Sequence, residues 1–206
     1  MQTKNYTTDL LPYIKALCGV EFASIELPRI KSLINSRAKR AYRASNYWPR
    51  FFVVGESRTV TSGVVLYDQA SLDSIDTFLR IHRTAPFASA SAQEFDFYVG
   101  STGATLIAGS LDPSVAFVTY KKQWTDVYGD GSSGTTILVP DEWFEYLVHG
   151  VYADYMRAEG QQEKAALADQ EANEKLQDEL IRLDEQRIAS VTLNKISTNA
   201  NMQSRY

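Results

Sequence analysis

Apolar positions recur with two different periods along the chain, and the switches between them divide it. Leu10, Leu11, Ile14 and Leu17 fall at helical spacing. Thr8 or Asp9 is placed to cap that first short helix, and Gly19 to end it. Ser24 is the expected cap of a second helix. There Leu27, Ile30, Ile34, Ala38, Ala41 and Tyr42 recur at intervals of three and four, Pro28 sits in the first turn, and Pro49 closes the segment after Trp48. From Phe51 the pattern turns to short β-branched and aromatic runs: 51–54, 59–60 with 64–67, 75–81, 95–99, 105–107, 115–120 and 136–139. Gly100-Ser101-Thr102-Gly103 and Gly129-Asp130-Gly131-Ser132-Ser133-Gly134 are the clearest turns between them. From Pro140 the helical period returns. Trp143, Tyr146, Leu147, Val151 and Tyr155 form one stripe, continued after Gly160 by Ala165, Ala168, Ala172, Leu176, Leu180 and Leu183.

These runs predict an α+β protein: a helical bundle formed by N-terminal and C-terminal helices, an inserted antiparallel β-sandwich or barrel module, and an extended C-terminal tail. The expected division is residues 1–50 for the N-terminal helices, 51–139 for the β module, 140–189 for a long C-terminal helix and 190–206 for the tail. A continuous helix to about Ile188 would run ~70 Å, longer than a small domain is wide, and a fold-back at Gly160 is the competing geometry. The tail, SVTLNKISTNANMQSRY, has no acid and little apolar bulk. Extended, its seventeen or so residues reach up to ~55 Å. Val191, Leu193 and Ile196, with Met202 and Tyr206, are its candidates for filling pockets of a partner or adding as a strand to a sheet edge.

Charge sharpens this picture. Between Pro28 and Arg50 stand Arg29, Lys31, Arg37, Lys39, Arg40, Arg43 and Arg50 with no acid, whereas acids outnumber bases heavily from Asp141 to Arg187, within an overall net charge of -4. Opposed charges in one chain pair within the fold or between copies. The basic second helix is the strongest argument for nucleic acid, with Tyr42, Tyr47 and Trp48 available to stack on bases, but Tyr42 and Trp48 fall on or beside the apolar stripe. No apolar run is long enough for a membrane span, and the first residues lack the basic start and apolar run of a signal peptide. No membrane partner is expected.

Candidate chemistry is sparse. Cys18 is alone, so no internal disulfide or cysteine metal cluster is expected. His82 lies among like charges and His149 lacks the second helical histidine of a zinc site. The 129–134 glycine run leads into a strand and lacks the Lys-Ser/Thr of a phosphate cradle, while Asp126 and Asp130 fall short of a calcium loop. Asp141, Glu142 and Glu145 are explained by the helix start they occupy. No catalytic residue, cofactor or metal is expected.

With those segments in view, the chain resembles the head-to-tail connector (adaptor) proteins of tailed bacteriophages, and is most similar to the tail-tubular or gateway-type adaptors of short-tailed phages. The resemblance rests on Ala16-Leu17-Cys18-Gly19-Val20, on Asn35, Arg37, Arg40 and Tyr42, and on Tyr47-Trp48-Pro49-Arg50 with Glu56-Ser57-Arg58. It continues through Ile81-His82-Arg83-Thr84, Pro86-Phe87, Phe117-Val118-Thr119-Tyr120-Lys121 and Val139-Pro140-Asp141-Glu142-Trp143. Most specific is the last stretch, Gly150-Val151-Tyr152-Ala153-Asp154-Tyr155 followed by Arg157-Ala158-Glu159-Gly160-Gln161 and Lys164-Ala165. The resemblance implies a virion structural protein with no catalytic residues. It also implies a homo-oligomeric ring of twelve copies beneath the portal protein, whose C-terminal segment inserts into that portal. Tail nozzle, tube or fibre proteins follow below, and DNA passes transiently and without sequence preference through the lumen. Arg37, Arg40 and Arg43 are the candidates for charge facing the lumen or a neighbouring subunit. The place implied is the neck or tail of the virion, and the host cytoplasm during assembly. A DNA-binding module built on the basic helix is the alternative.

Overall fold

A computed structural model describes residues 3–86, 93–107, 113–124 and 138–203, with side chains placed for 8–86, 93–107, 113–124 and 139–186. The chain forms two compact units, one from residues 1–45 with 126–206 and one from 46–125. The first joins the two ends of the chain. The second covers most of the stretch read as a β module, 51–139, but begins at Asn46 and ends at Thr125, so that the strand expected at 136–139 falls to the first unit.

The terminal unit opens with β1 (Thr3–Asn5), which pairs antiparallel with the strand preceding the C-terminal helices (Leu138–Pro140), Thr3 opposite Pro140. A single π turn leads into α1 (Leu11–Cys18), which carries Pro12 in its first turn and ends at Gly19 in the left-handed region, φ +68°. No side chain caps this helix. Nor does Ser24 cap the next: α2 runs from Leu27 to Ala44, and the carboxylate of Glu26 instead takes the Ala23 amide at 2.9 Å. The apolar stripe read along this segment is the buried one, with Ile30, Ile34, Ala38, Ala41 and Tyr42 all enclosed. The helix stops five residues before Pro49, at an extended Ser45.

Pro140 and a 3₁₀ turn, Asp141–Trp143, start α3 (Phe144–Ala158). This helix is the centre of the unit. Both α1 and α2 pack on it, and so does α4 (Gln162–Gln203). Its buried residues, from Tyr146 and Leu147 through Val151 to Tyr155 and Met156, lie all round its axis, as expected for a helix enclosed on several sides.

The chain folds back at Gly160 and does not run on as one helix. The Gln161 amide donates to Met156 O (2.9 Å) and the Gly160 amide to Arg157 O (3.2 Å), the paired bonds of a Schellman cap, which needs the φ of +80° that Gly160 adopts. Alanines 165, 168 and 172 then let α4 approach α3 closely before Leu176 and Leu183 take over. Cross-helix pairs fix an antiparallel register: Asp154 and Arg157 beside Asp169, His149 with Glu171 (3.3 Å), and Glu145 with Lys175 (2.9 Å). The first turns of α3 thus lie opposite Glu179.

Beyond Glu179, α4 continues to Gln203, about 36 Å further at 1.5 Å per residue. The segment read as an extended tail is helical as far as the structure describes it. Its Asn, Ser and Thr are poor helix formers, but nothing between Gln162 and Gln203 is Gly or Pro, and extending an existing helix avoids the cost of a new nucleus.

The second unit holds β2 (Phe52–Thr59), β3 (Val64–Leu66), β4 (Ile75–His82), β5 (Phe97–Val99), β6 (Gly103–Leu106) and β7 (Val115–Lys122), while the Leu138–Pro140 strand of the terminal unit is β8.

 Two antiparallel three-stranded sheets result, ordered β2–β7–β4 and β3–β6–β5. They line one apolar cluster, to which the first sheet gives Phe78, Ile81, Val118 and Tyr120 and the second Val65, Ala104 and Leu106. The sheets do not close into the barrel that was one of the two expected forms. Closure needs every strand laddered on both sides with a continuous stagger, and β3, β5 and β6 are only three or four residues long. In β2 the register shifts between Val53 and Glu56, where Gly55 adopts φ +63°, a bulge that bends the strand.

One glycine is required by contact as well as by conformation. A Cβ on Gly103, at the start of β6, would stand 2.0 Å from Val65 O and 2.9 Å from Leu66 Cα. Gly103→Ala must push β3 away from β6, and it should lower the unfolding free energy by about 3 kcal/mol in urea titration.

Candidate functional site

The strongest electrostatic feature of the terminal unit is a buried arginine. Ile30, Ile34, Arg37 and Ala41 follow one another at helical steps, so α2 turns Arg37 inward with its apolar neighbours, 1% exposed. Gly150 on α3 makes room for it. A methyl group there would lie 3.0 Å from Arg37 Cδ and 3.2 Å from Nε. One turn further along α3, Asp154 accepts from Arg37 Nε at 2.7 Å and from Nη2 at 2.6 Å, a bidentate pair. The third nitrogen, Nη1, lies 2.6 Å from Asp169 of α4. Arg157 adds a second guanidinium, 2.8 Å from Asp154 Oδ1 and 3.4 Å from Asp169 Oδ2.

Two arginines thus face two aspartates across three helices. Burial would raise the Asp169 carboxyl, but the hydrogen bond and charge of Arg37, with Arg157, outweigh it and hold the group below the ordinary carboxylate range. Burial likewise opposes the charge of Arg37, and the two aspartates overcome it. The cluster is charged and internally neutral. It can fix the register of α2, α3 and α4, and its groups are committed to one another.

Arg37 is therefore corrected as a candidate for lumen or intersubunit charge: it is enclosed. Arg40 and Arg43 remain exposed, together with Lys39. No carboxylate among the described residues forms an ion pair with these three. Arg29, on the same outward side, stands 5.9 Å over the ring of Tyr155. Helical spacing puts Arg29, Ser32, Ser36, Lys39, Arg40 and Arg43 on the face of α2 opposite its buried stripe. Tyr42 and Trp48 are buried, which removes them as base-stacking groups.

The second unit contains a comparable cluster. Arg58 on β2 is 1% exposed; its Nη2 lies 2.8 Å from both Tyr120 Oη and Glu56 Oε2, and it also bonds the Asp73 carbonyl. Its guanidinium sits 4.5 Å from the Tyr120 ring centre. The Tyr120 hydroxyl donates to Glu56 at 2.7 Å. Burial, reinforced by that bond to Glu56, pushes the phenol up to about 12, so it stays a neutral donor across the physiological range. Neither this cluster nor the roles of Asp154 and Asp169 were read from the sequence. The usable signal for Arg37 was its place on the apolar stripe, in register with Ile34 and Ala41.

The remaining candidates are dispersed. His82 is buried on β4, with Nδ1 4.0 Å from Glu94, and His149 faces Glu171. Cys18 is half-buried, and burial pushes its thiol up to about 11, away from thiolate reactivity. At the start of α3, Asp141, Glu142 and Glu145 lie near Glu179. Burial is the chief cause that raises the Glu179 carboxyl, and these acids add to it against Arg182. Among the described residues no group of three or more His, Cys, Asp or Glu is arranged to hold a metal. The glycine run 129–134 lies outside the described residues, as do Asp126 and Asp130. Val191, Leu193, Ile196 and Met202 lie on the backbone of α4 with their side chains outside the described set, and Tyr206 lies outside it altogether. No helix among the described residues is long and apolar enough to cross a membrane. No family model matches this chain, and no curated protein is significantly similar to it.

Replacing Arg37 by Met keeps the volume but leaves two carboxylates with only the half-exposed Arg157 to neutralise them. The variant should lose about 3 kcal/mol of unfolding free energy. Because Asp169 is held below its ordinary value, its contribution is complete above about pH 4 and is lost as pH falls through its folded value. Urea titrations at pH 7 and pH 3 should show a smaller gap between wild type and Arg37→Met at the lower pH. An equal gap at both would contradict the ion-cluster account.

Proposed function

We propose that this chain is a virion structural protein, an adaptor subunit that forms a ring joining a phage portal to the tail, with DNA passing through the lumen. The resemblance set out from the sequence motivates this reading. The structural observation that carries it is the length of α4, which outruns α3 by about 36 Å. A helix committed only to its own fold has no need of that extension. One that engages a second protein does.

The helical course of 190–203 changes how docking is pictured. A strand added to a sheet edge is replaced by a helix laid into a groove, a mode in which apolar residues at helical spacing provide the anchors. Helical spacing sorts the candidates onto two sides of the helix: Leu193 and Ile196, three apart, on one, and Val191 and Met202, eleven apart, on the other; Tyr206 lies outside the described residues. The reach shortens accordingly, since fourteen helical residues span about 21 Å.

DNA binding through α2 is the second reading, favoured by the exposed Lys39, Arg40 and Arg43. It predicts DNA affinity that falls steeply with salt and flattens when these three are neutralised. Arg37 has no part in it.

Native mass spectrometry of the purified chain, with and without the portal protein of its own phage, tests the adaptor reading. The expected result is a portal complex carrying many copies, lost when residues 190–206 are deleted. A chain that ignores the portal contradicts the reading; undiminished binding after the deletion contradicts the role given to the tail.

A further inference from the structure

The Arg37 cluster consumes the inward charge of the three helices and leaves two outward rows of opposite sign on one unit. The face of α2 turned away from its buried stripe carries Arg29, Lys39, Arg40 and Arg43, and no acid occurs between Leu27 and Ala44. The face of α4 turned away from its buried alanines and leucines carries Glu163, Glu174 and Asp178, all exposed. Two aliphatic side chains, Leu167 and Ile181, stand on that same acidic face at 70% and 57% exposure. A groove beside this face is lined by Gln170, Glu174 and Asp178 together with Asp169 and Arg157 of the ion cluster.

The rows match in length. Arg29 to Arg43 spans about 21 Å and Glu163 to Asp178 about 22 Å along their helix axes. They cannot meet within one chain, because each lies on the side of its helix away from the core that α2 and α4 share.

We infer that the basic face of α2 docks on the acidic face of α4 in a second copy of this chain. The inference rests on the ring-forming reading above and adds which surfaces meet. Such a contact is heterologous, one patch against a different patch. Repeated, it closes into a ring where the rotation between copies permits. Leu167 within the acidic row and Ile181 just beyond its end supply apolar area, and the charge rows set its register and speed encounter. Nucleic acid is the weaker occupant. It would satisfy the α2 row but leave the acidic row of the same unit unused and repelling phosphates.

The test uses two charge-reversed full-length chains, K39E/R40E/R43E and E163K/E174K/D178K, each checked for wild-type circular dichroism. Analytical ultracentrifugation at 50 µM should show wild-type chain assembled at low salt and dissociating as salt is raised. Each variant alone should stay monomeric, since its two faces then carry the same sign. An equimolar mixture should reassemble, because the acidic α2 of one variant fits the basic α4 of the other. Wild-type chain that stays monomeric overturns the inference; so do variants that assemble like wild type, or a mixture that does not. DNA affinity lost in K39E/R40E/R43E, without reassembly of the mixture, also overturns it in favour of nucleic acid. Binding of the portal by a chain that fails these tests would leave the adaptor reading standing and remove only the surfaces assigned here.

Discussion

The terminal unit depends on one buried guanidinium. Arg37 is where α2, α3 and α4 meet, and it can be there only because α3 offers a glycine for its stem and an aspartate one turn later for its head. A buried ion pair is weak as a source of net stability, since desolvation costs offset most of the Coulomb gain. Its effect here is on register. An apolar stripe tolerates sliding by a turn; a bidentate arginine held by carboxylates from two different helices does not. The side chain that fixes α2 against α3 therefore also fixes α4.

That arrangement has a consequence for the surface. Charges drawn into the cluster are unavailable to partners, and those left outside are all basic on α2 and mainly acidic on the outer face of α4. The same unit then carries a basic face on α2 and an acidic face on α4, and the buried cluster ties the two helices together. An internal ion cluster and an external charge pattern are two results of one distribution of residues along α2 and α4.

Much of this was legible in the sequence and some was not, for physical reasons. The strand runs stand out because β-branched and aromatic residues cluster between turn residues, and the helix start at Pro140 because proline and acids suit a first turn. The three-residue β1 has no period to detect; it is defined by its partner at Leu138–Pro140. Gly160 was visible as a break, but a weak one, because a single glycine is equally at home inside a helix and at a Schellman cap. Composition misled most at 190–203, where polar, β-branched residues suggested an extended chain and the absence of any helix breaker proved the better guide. Arg37 was legible in position and misread in chemistry: its spacing put it on the buried stripe, while its charge suggested solvent.

The central claim is that these helices present themselves to further copies and to a portal in one fixed geometry. Cryo-electron microscopy of the portal incubated with this chain addresses it most directly. The account predicts a closed ring of copies on the portal, α2 of each against α4 of the next, with the C-terminal end of α4 entering the portal. Portals that remain bare, or that carry isolated copies with α2 and α4 apart, would contradict it.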